Sequence, residues 1–359
     1  MAHRNVLLVG SLPFDNEQEA MQIALDVLGD NLVSCPDGEI GVKTPENPRG
    51  LRSDWAATAM RNIAANPAFE VVKGAEFINR STLESENPYA QRGRLQLRAK
   101  VPPGEMAAHL NFGYLDYFRE SYPIFKKLRE QANKPGIKFQ VGVPTGFVIT
   151  MGPLGPLAGL RYRKAFEERL ATEVNQIVRE AGDDVIIQIE VPIEMKMATL
   201  LPRFLWGIPL AMITGLVKRL DPAAQIGVHL CLGDSGHRAL THLAMTGLLV
   251  PFSNRLVAAW PRTHKLVYMH YPFAEANVAP PTDPAIYAPL NQIKLPEGVR
   301  FIAGFIHEKL DDDGHRKVLK AIEQAVGHPV EIACSCGMGR RPREEAERLL
   351  GVTKAVAAI

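Results

Sequence analysis

The feature that most constrains this chain is an alternation. Apolar runs of strand length are followed by longer stretches with helical spacing, the pattern of repeated β–α units around a parallel sheet. Residues 6–9 read as a first strand, and 17–28 as a helix with Ala20, Ile23, Ala24 and Leu28 on one stripe. A second strand at 32–35 ends in the turn Pro36-Asp37-Gly38-Glu39, and 51–65 is helical. The later half is cleaner, with strands at 138–143, 185–190, 225–231, 265–270, 299–305 and 329–334. Helices are expected over 161–181, 204–220, 237–249, 315–325 and 342–350. Six to eight such units predict an α/β fold, a closed (β/α)8 barrel occupying residues 1–359 as a single domain. From 69 to 110 the pattern loosens, and 95–101 alternates as a strand would in an excursion over one barrel end. A helix over 114–132 should bend or divide at Pro123. The stretch 272–296 is a loop long enough to be functional.

Composition removes several function classes. At 359 residues, 46% hydrophobic, the chain can bury a core that needs no disulfide staples. A net charge of +2, without basic clusters interleaved with aromatics, gives no reason to expect nucleic acid. The most apolar stretch, 204–217, contains Pro209 and is shorter than the roughly 20 residues of a membrane span. The apolar run at 6–9 is too brief for a signal peptide, so a cytoplasmic protein is expected. Four cysteines in so long a chain point to metal binding or catalysis rather than a disulfide scaffold. Both a monomer and a homo-oligomer stay open.

Metal-competent and polar residues collect at the C-terminal ends of the predicted strands: Ser11, Glu39, Glu190, His229 with Cys231, His270, and Cys334 with Cys336. In a barrel that rim carries the active site. His229 and Cys231 fall on one side of an extended segment, because side chains alternate with period two. Barrel closure brings Cys336 near them from far along the chain. Two thiolates and an imidazole suit zinc and leave a fourth position free. A His-x-Cys pair alone is more often structural; the third thiol, followed by Gly337-Met338-Gly339, shifts the balance toward function. Glu190, at a buried strand end, is costly to bury unpaired and is read as a site residue. Cys35 and Cys334 are read as core, and His237 and His242 as ordinary helix residues. Arg340-Arg341 is a solvated pair or an anion contact at a helix start. Trp206, in the apolar stretch 200–210, is a pocket wall beside Glu190 or packs on the barrel.

Several motifs, in order, resemble the catalytic half of cobalamin-independent methionine synthase and the wider zinc-dependent alkyl-transfer barrels. Val9-Gly10-Ser11-Leu12-Pro13 is similar to that family's Ile-Gly-Ser-Phe-Pro start, and Asp37-Gly38-Glu39 to its Gly-Glu turn. Gly142-Val143-Pro144-Thr145 resembles a Gly-Pro-Val-Thr stretch, and Ile187-Gln188-Ile189-Glu190-Val191-Pro192 an Ile-Gln-Ile-Asp-Glu-Pro segment. His229-Leu230-Cys231 matches the His-x-Cys ligand pair and Cys336-Gly337-Met338-Gly339 the final Cys-Gly-Leu segment. The resemblance implies zinc held by His229, Cys231 and Cys336. It also implies Glu39 in contact with substrate, and Ser11, Gln188, Trp206 and Arg340 are expected beside it.

The departures alter what is expected. The family's remaining ligand is a Glu; the comparable strand here is Leu266-Val267-Tyr268-Met269-His270, which makes His270 the candidate fourth ligand and Glu275 the fallback. Glu190 stands for Asp and Val191 for Glu, so the bound thiol need not be homocysteine. Gly304-Phe305-Ile306-His307-Glu308 loosely matches a segment that places His307 as a proton relay. Nothing here resembles the synthase's separate N-terminal half, so its polyglutamyl-folate contacts are not expected. The implied activity is transfer of a methyl or other alkyl group from a small donor, a methyl-folate among the candidates, to a zinc-held small-molecule thiol. His307, Glu190 or Asp37 would serve as general acid. Two other readings remain: a metal-free, porphyrinogen-decarboxylase-like lyase on the same barrel, and a non-catalytic zinc- or ligand-binding barrel.

Overall fold

Strand β1 (Val6–Leu7) pairs in parallel with β2 (Leu32–Pro36) in a computed structural model that describes residues 4–45, 47–53, 55–77, 95–242 and 246–359. The chain then leaves the barrel for an antiparallel pair, β3 (Phe69–Lys73) with β4 (Gln96–Ala99), the expected excursion. It returns through β5 (Lys138–Pro144), β6 (Val185–Glu190), β7 (Gln225–His229), β8 (Lys265–Pro272), β9 (Arg300–Ile306) and β10 (Glu331–Cys334). Each pairs in parallel with the next, β5 with β2 and β10 with β1, so eight strands form a closed barrel with helices between them. The strands are covered on both faces, which is why β6 opens as the continuous apolar run Val185-Ile186-Ile187 and every residue of β7 is buried.

Polar side chains inside the barrel hold the site end together. β1 stops at Leu7 because side chains take over the next carbonyls. Gln140 Nε2 donates to the oxygens of Leu8 (2.8 Å) and Val9 (3.1 Å), and Gln188 Nε2 donates to Val9 (2.6 Å). Ser34 Oγ donates to Gln140 Oε1 (2.6 Å), and Tyr268 Oη to Gln188 Oε1 (2.9 Å). The Tyr268 ring fits only because residue 227 is glycine: a Cβ there would lie 2.0 Å from its Cζ.

Several helices differ from expectation. Helix Tyr114–Gln131 runs unbroken through Pro123. The helix expected from 161 begins at Gly146, capped by the Thr145 hydroxyl, and passes a kink at Gly155 (φ 75°, ψ 171°) between Pro153 and Pro156. A 3-10 turn at Arg203–Leu205 precedes helix Gly207–Val217. The helix expected over 237–249 is instead Thr246–Ala258, so His237 and His242 lie in the loop after β7. Within 272–296, two 3-10 turns and an edge-on contact of Phe273 with Tyr287 (5.6 Å) order the loop. Among the described residues no helix is long and apolar enough to cross a membrane.

Candidate metal centre

His229 ends β7, and the chain turns sharply behind it. The Cys231 amide donates to the His229 carbonyl at 2.8 Å, the i→i+2 bond of a γ-turn. This turn, rather than extended alternation, brings the Cys231 sulfur to the His229 side, where the Gly233 amide donates to it at 3.3 Å. Cys336 lies just past β10, in a loop pressed on Ser11. The amides of Met338 and Gly339 donate to the Ser11 carbonyl at 2.8 and 2.9 Å. Both flanking glycines are required for that approach: a Cβ on Gly337 would lie 2.6 Å, and on Gly339 2.8 Å, from Ser11 Oγ.

The ligand atoms of His229, Cys231 and Cys336 all lie within 4.8 Å of one another, the one such His/Cys/Asp/Glu group among the described residues. The two sulfurs are 3.9 Å apart. Sulfurs on one tetrahedral zinc, each about 2.3 Å from it, would be about 3.8 Å apart, so the spacing fits. His229 is fully buried, and its Nε2 has no hydrogen-bond partner. Burial, with His270 second, holds its pKa well below the usual imidazole value, so the ring is neutral and able to coordinate. The Cys336 sulfur, followed by burial, pushes the Cys231 thiol well above its usual range. Two thiolates here call for a cation between them.

His270, the expected fourth ligand, stands behind His229 instead. Its Nδ1 lies 2.7 Å from His229 Nδ1 and its Nε2 3.1 Å from the Cys334 carbonyl oxygen, so both ring nitrogens are engaged. Burial pushes its pKa down to about 3. Cys334 itself is buried outside the cluster, its thiol raised to about 12 by burial. Glu275, the fallback ligand, faces His242 Nδ1 at 2.6 Å and is not in the cluster.

A cavity of about 300 Å³ opens beside the cluster, lined by Cys231, Cys336, Ser11, Glu39, Glu190 and Arg340. Its far wall is apolar, with Met60, Val148, Ile149, Met151, Pro153, Pro156, Ile193 and Leu240. Glu39 and Glu190 converge over Gly142, where a Cβ would lie 3.2 Å from Glu39 Oε1 and 3.1 Å from Glu190 Oε1. Burial, then the Glu190 and Asp37 charges, raise Glu39 to about 8. Burial raises Glu190 to about 6, with Arg340 and a bond from Gln188 opposing. Near neutral pH the pair therefore retains a proton. Arg340 Nη1 donates to Ser11 Oγ at 2.7 Å.

Four other expected site residues are placed elsewhere. Asp37 is buried and accepts from Arg52 Nη1 (2.9 Å), Ser121 Oγ (2.7 Å) and the Glu39 amide (3.0 Å). Burial pushes its pKa up, but Arg52 and these donors outweigh it and hold the carboxyl low, which suits shaping the Glu39 turn and not proton donation. That turn puts Glu39 itself at φ 52°, a left-handed conformation uncommon for a non-glycine residue. Gln188 is buried and does not line the cavity; its Nε2 donates to Glu190 Oε1 at 3.1 Å and orients that carboxylate. Trp206 packs in the core, its Nε1 donating to Ala198 O (3.0 Å) and its ring edge-on to Phe252. His307 is buried and off the cavity lining; its Nδ1 accepts from the Lys309 amide (3.1 Å), and burial lowers its pKa to about 4. Nor is Arg341 solvated: it is buried, with Nε bonded to Glu308 Oε2 at 2.9 Å. Asp234, which lines the cavity, and the apolar wall from the helix kink carry no signal in the sequence.

Fold and cluster together define a class: a closed (β/α)8 barrel with a soft-ligand candidate metal centre at the C-terminal ends of its strands. Among solved structures, a B12-independent methionine synthase from Shewanella sp. W3-18-1, in complex with selenomethionine, is similar over the full length. It shares 12% identity at a TM-score of 0.53, covering 100% of this chain and 97% of that one. A native malate synthase from Haloferax volcanii gives 14% identity and a TM-score of 0.31, covering 65% of this chain and 62% of its own. No family model matches the chain, and no curated protein matches it in sequence. The first likeness shows a related barrel fold.

Proposed function

We propose that this chain is a zinc-dependent transferase that moves a methyl or other alkyl group onto a small-molecule thiol. The observation that carries the reading is the convergence of His229, Cys231 and Cys336 on one point beside a cavity. When bound there, zinc supplies the positive charge that keeps a substrate thiol deprotonated and nucleophilic at neutral pH. His229 contributes a neutral imidazole, and the two cysteines contribute charge. Glu39 and Glu190 keep a proton on the cavity floor, positioned to protonate the departing group or to bond a polar group of the substrate. The apolar wall excludes water from the reacting atoms and suits a donor with a hydrocarbon body.

Val191, which stands where the resembled family carries a second acid, is fully buried and adds no charge to the cavity. That supports a thiol other than homocysteine. A reducing compartment such as the cytoplasm suits two cysteines 3.9 Å apart that must stay available as ligands.

The test is turnover of a panel of small thiols with methyl and alkyl donors, with and without a zinc chelator. Thiol alkylation that the chelator abolishes and zinc restores supports the reading. Zinc-loaded protein that alkylates none of the thiols, or activity indifferent to the chelator, contradicts it.

A further inference from the structure

We infer that His270 is a positioning residue that sets the tautomer and ring direction of the metal ligand His229, rather than a ligand itself. The inference rests on the metal reading above and concerns which side chains surround the ion. Its chemistry follows from three contacts. The Cys334 carbonyl oxygen, 3.1 Å from His270 Nε2, only accepts, so that nitrogen carries the ring's hydrogen. The other nitrogen of the neutral ring then has a lone pair, and across 2.7 Å it accepts from His229 Nδ1–H. His229 is thereby left with its lone pair on Nε2, the buried atom that no protein donor meets.

The chain carbonyl, His270 and His229 thus form a relay in which each hydrogen has one permitted place, and it would end on a metal held by His229 Nε2. An imidazole stands where such relays often use a carboxylate. Space enforces the order. A Cβ on Gly304 would lie 2.4 Å from His270 Nε2, so glycine there lets the ring sit back against β9 and β10. Strand pairing places His270 directly beside His229 and fixes the register of the two rings.

The experiment compares zinc affinity, by chelator competition, in the wild type, His270→Leu and His270→Asn, with melting of each zinc-free protein as control. Asn can present an oxygen to His229 Nδ1–H and Leu cannot. We expect His270→Leu to lose about 10- to 100-fold in affinity and His270→Asn to recover most of it. X-ray absorption at the zinc edge of the wild type should count one imidazole. Two imidazoles overturn the inference even if His270→Leu fails to fold, and so does wild-type affinity in a folded His270→Leu. A wild type that binds no zinc overturns the metal reading and this inference with it.

Discussion

Glu39 and Glu190 meet over a glycine at the end of β5, and the proton they retain has a consequence for stability. The folded chain holds Glu39 protonated up to about pH 8, whereas the unfolded carboxyl releases its proton near 4.5. Between those values the unfolded state binds fewer protons, so folding stability falls as pH rises. Glu39→Gln removes that titration. Chemical denaturation should show the variant gaining on the wild type from about pH 5 to about pH 8; a constant difference would mean that Glu39 ionises normally. Gly142→Ala should crowd both carboxylates, the nearest atoms to the added Cβ, and not the His229–Cys231–Cys336 cluster. On the function proposed above, the expected outcome is zinc content unchanged and thiol-alkylating activity down by about tenfold or more, since misplacing a reacting group slightly is costly. Equal loss of zinc and activity would contradict the division of labour.

At the scale of elements, the kink in helix Gly146–Ala181 shapes the apolar wall. Gly155 sits at φ 75°, and a Cβ there would meet nothing within 4 Å, so Gly155→Ala should cost only backbone strain. About 1–3 kcal/mol is expected, read as a lower midpoint in denaturant; an unchanged midpoint would mean the kink relaxes freely. The kink also marks where sequence reading stopped. Apolar spacing from 161 to 181 announces a regular helix, while two prolines and four glycines before it hide the turns at 146–160. β6 was legible to the residue because both of its faces are buried. The helix after β7 was misplaced because Leu240, Leu243 and Ala244 already keep i, i+3, i+4 spacing in the sequence ahead of helix Thr246–Ala258. Trp206 shows the same limit, since an apolar run reads alike whether it lines a cavity or fills a core. Its place at a strand end put His270 at the site, but only the Cys334 carbonyl and Gly304 decide which way its ring faces.

For the molecule as a whole, barrel closure turns distant residues into one centre. Cys336 is 105 residues beyond Cys231, and β10 pairs with β1 so that the Gly337–Gly339 loop rests on Ser11. The barrel was legible in the sequence, and so, one by one, were the three residues that it brings together, His229, Cys231 and Cys336. The meeting of Glu39 with Glu190 was not, because it depends on side-chain absence at Gly142 on β5 and at Gly10 in the bend after β1. A ligand that binds only the folded state stabilises it by mass action. Saturating zinc should therefore raise the melting temperature by several degrees, and a chelator should reverse the gain. The most direct test is zinc content by elemental analysis of the purified wild type, Cys231→Ser and Cys336→Ser. Near-stoichiometric zinc in the wild type, lost from both folded variants, is the predicted result. A wild type without zinc, or variants that keep it, would contradict the account.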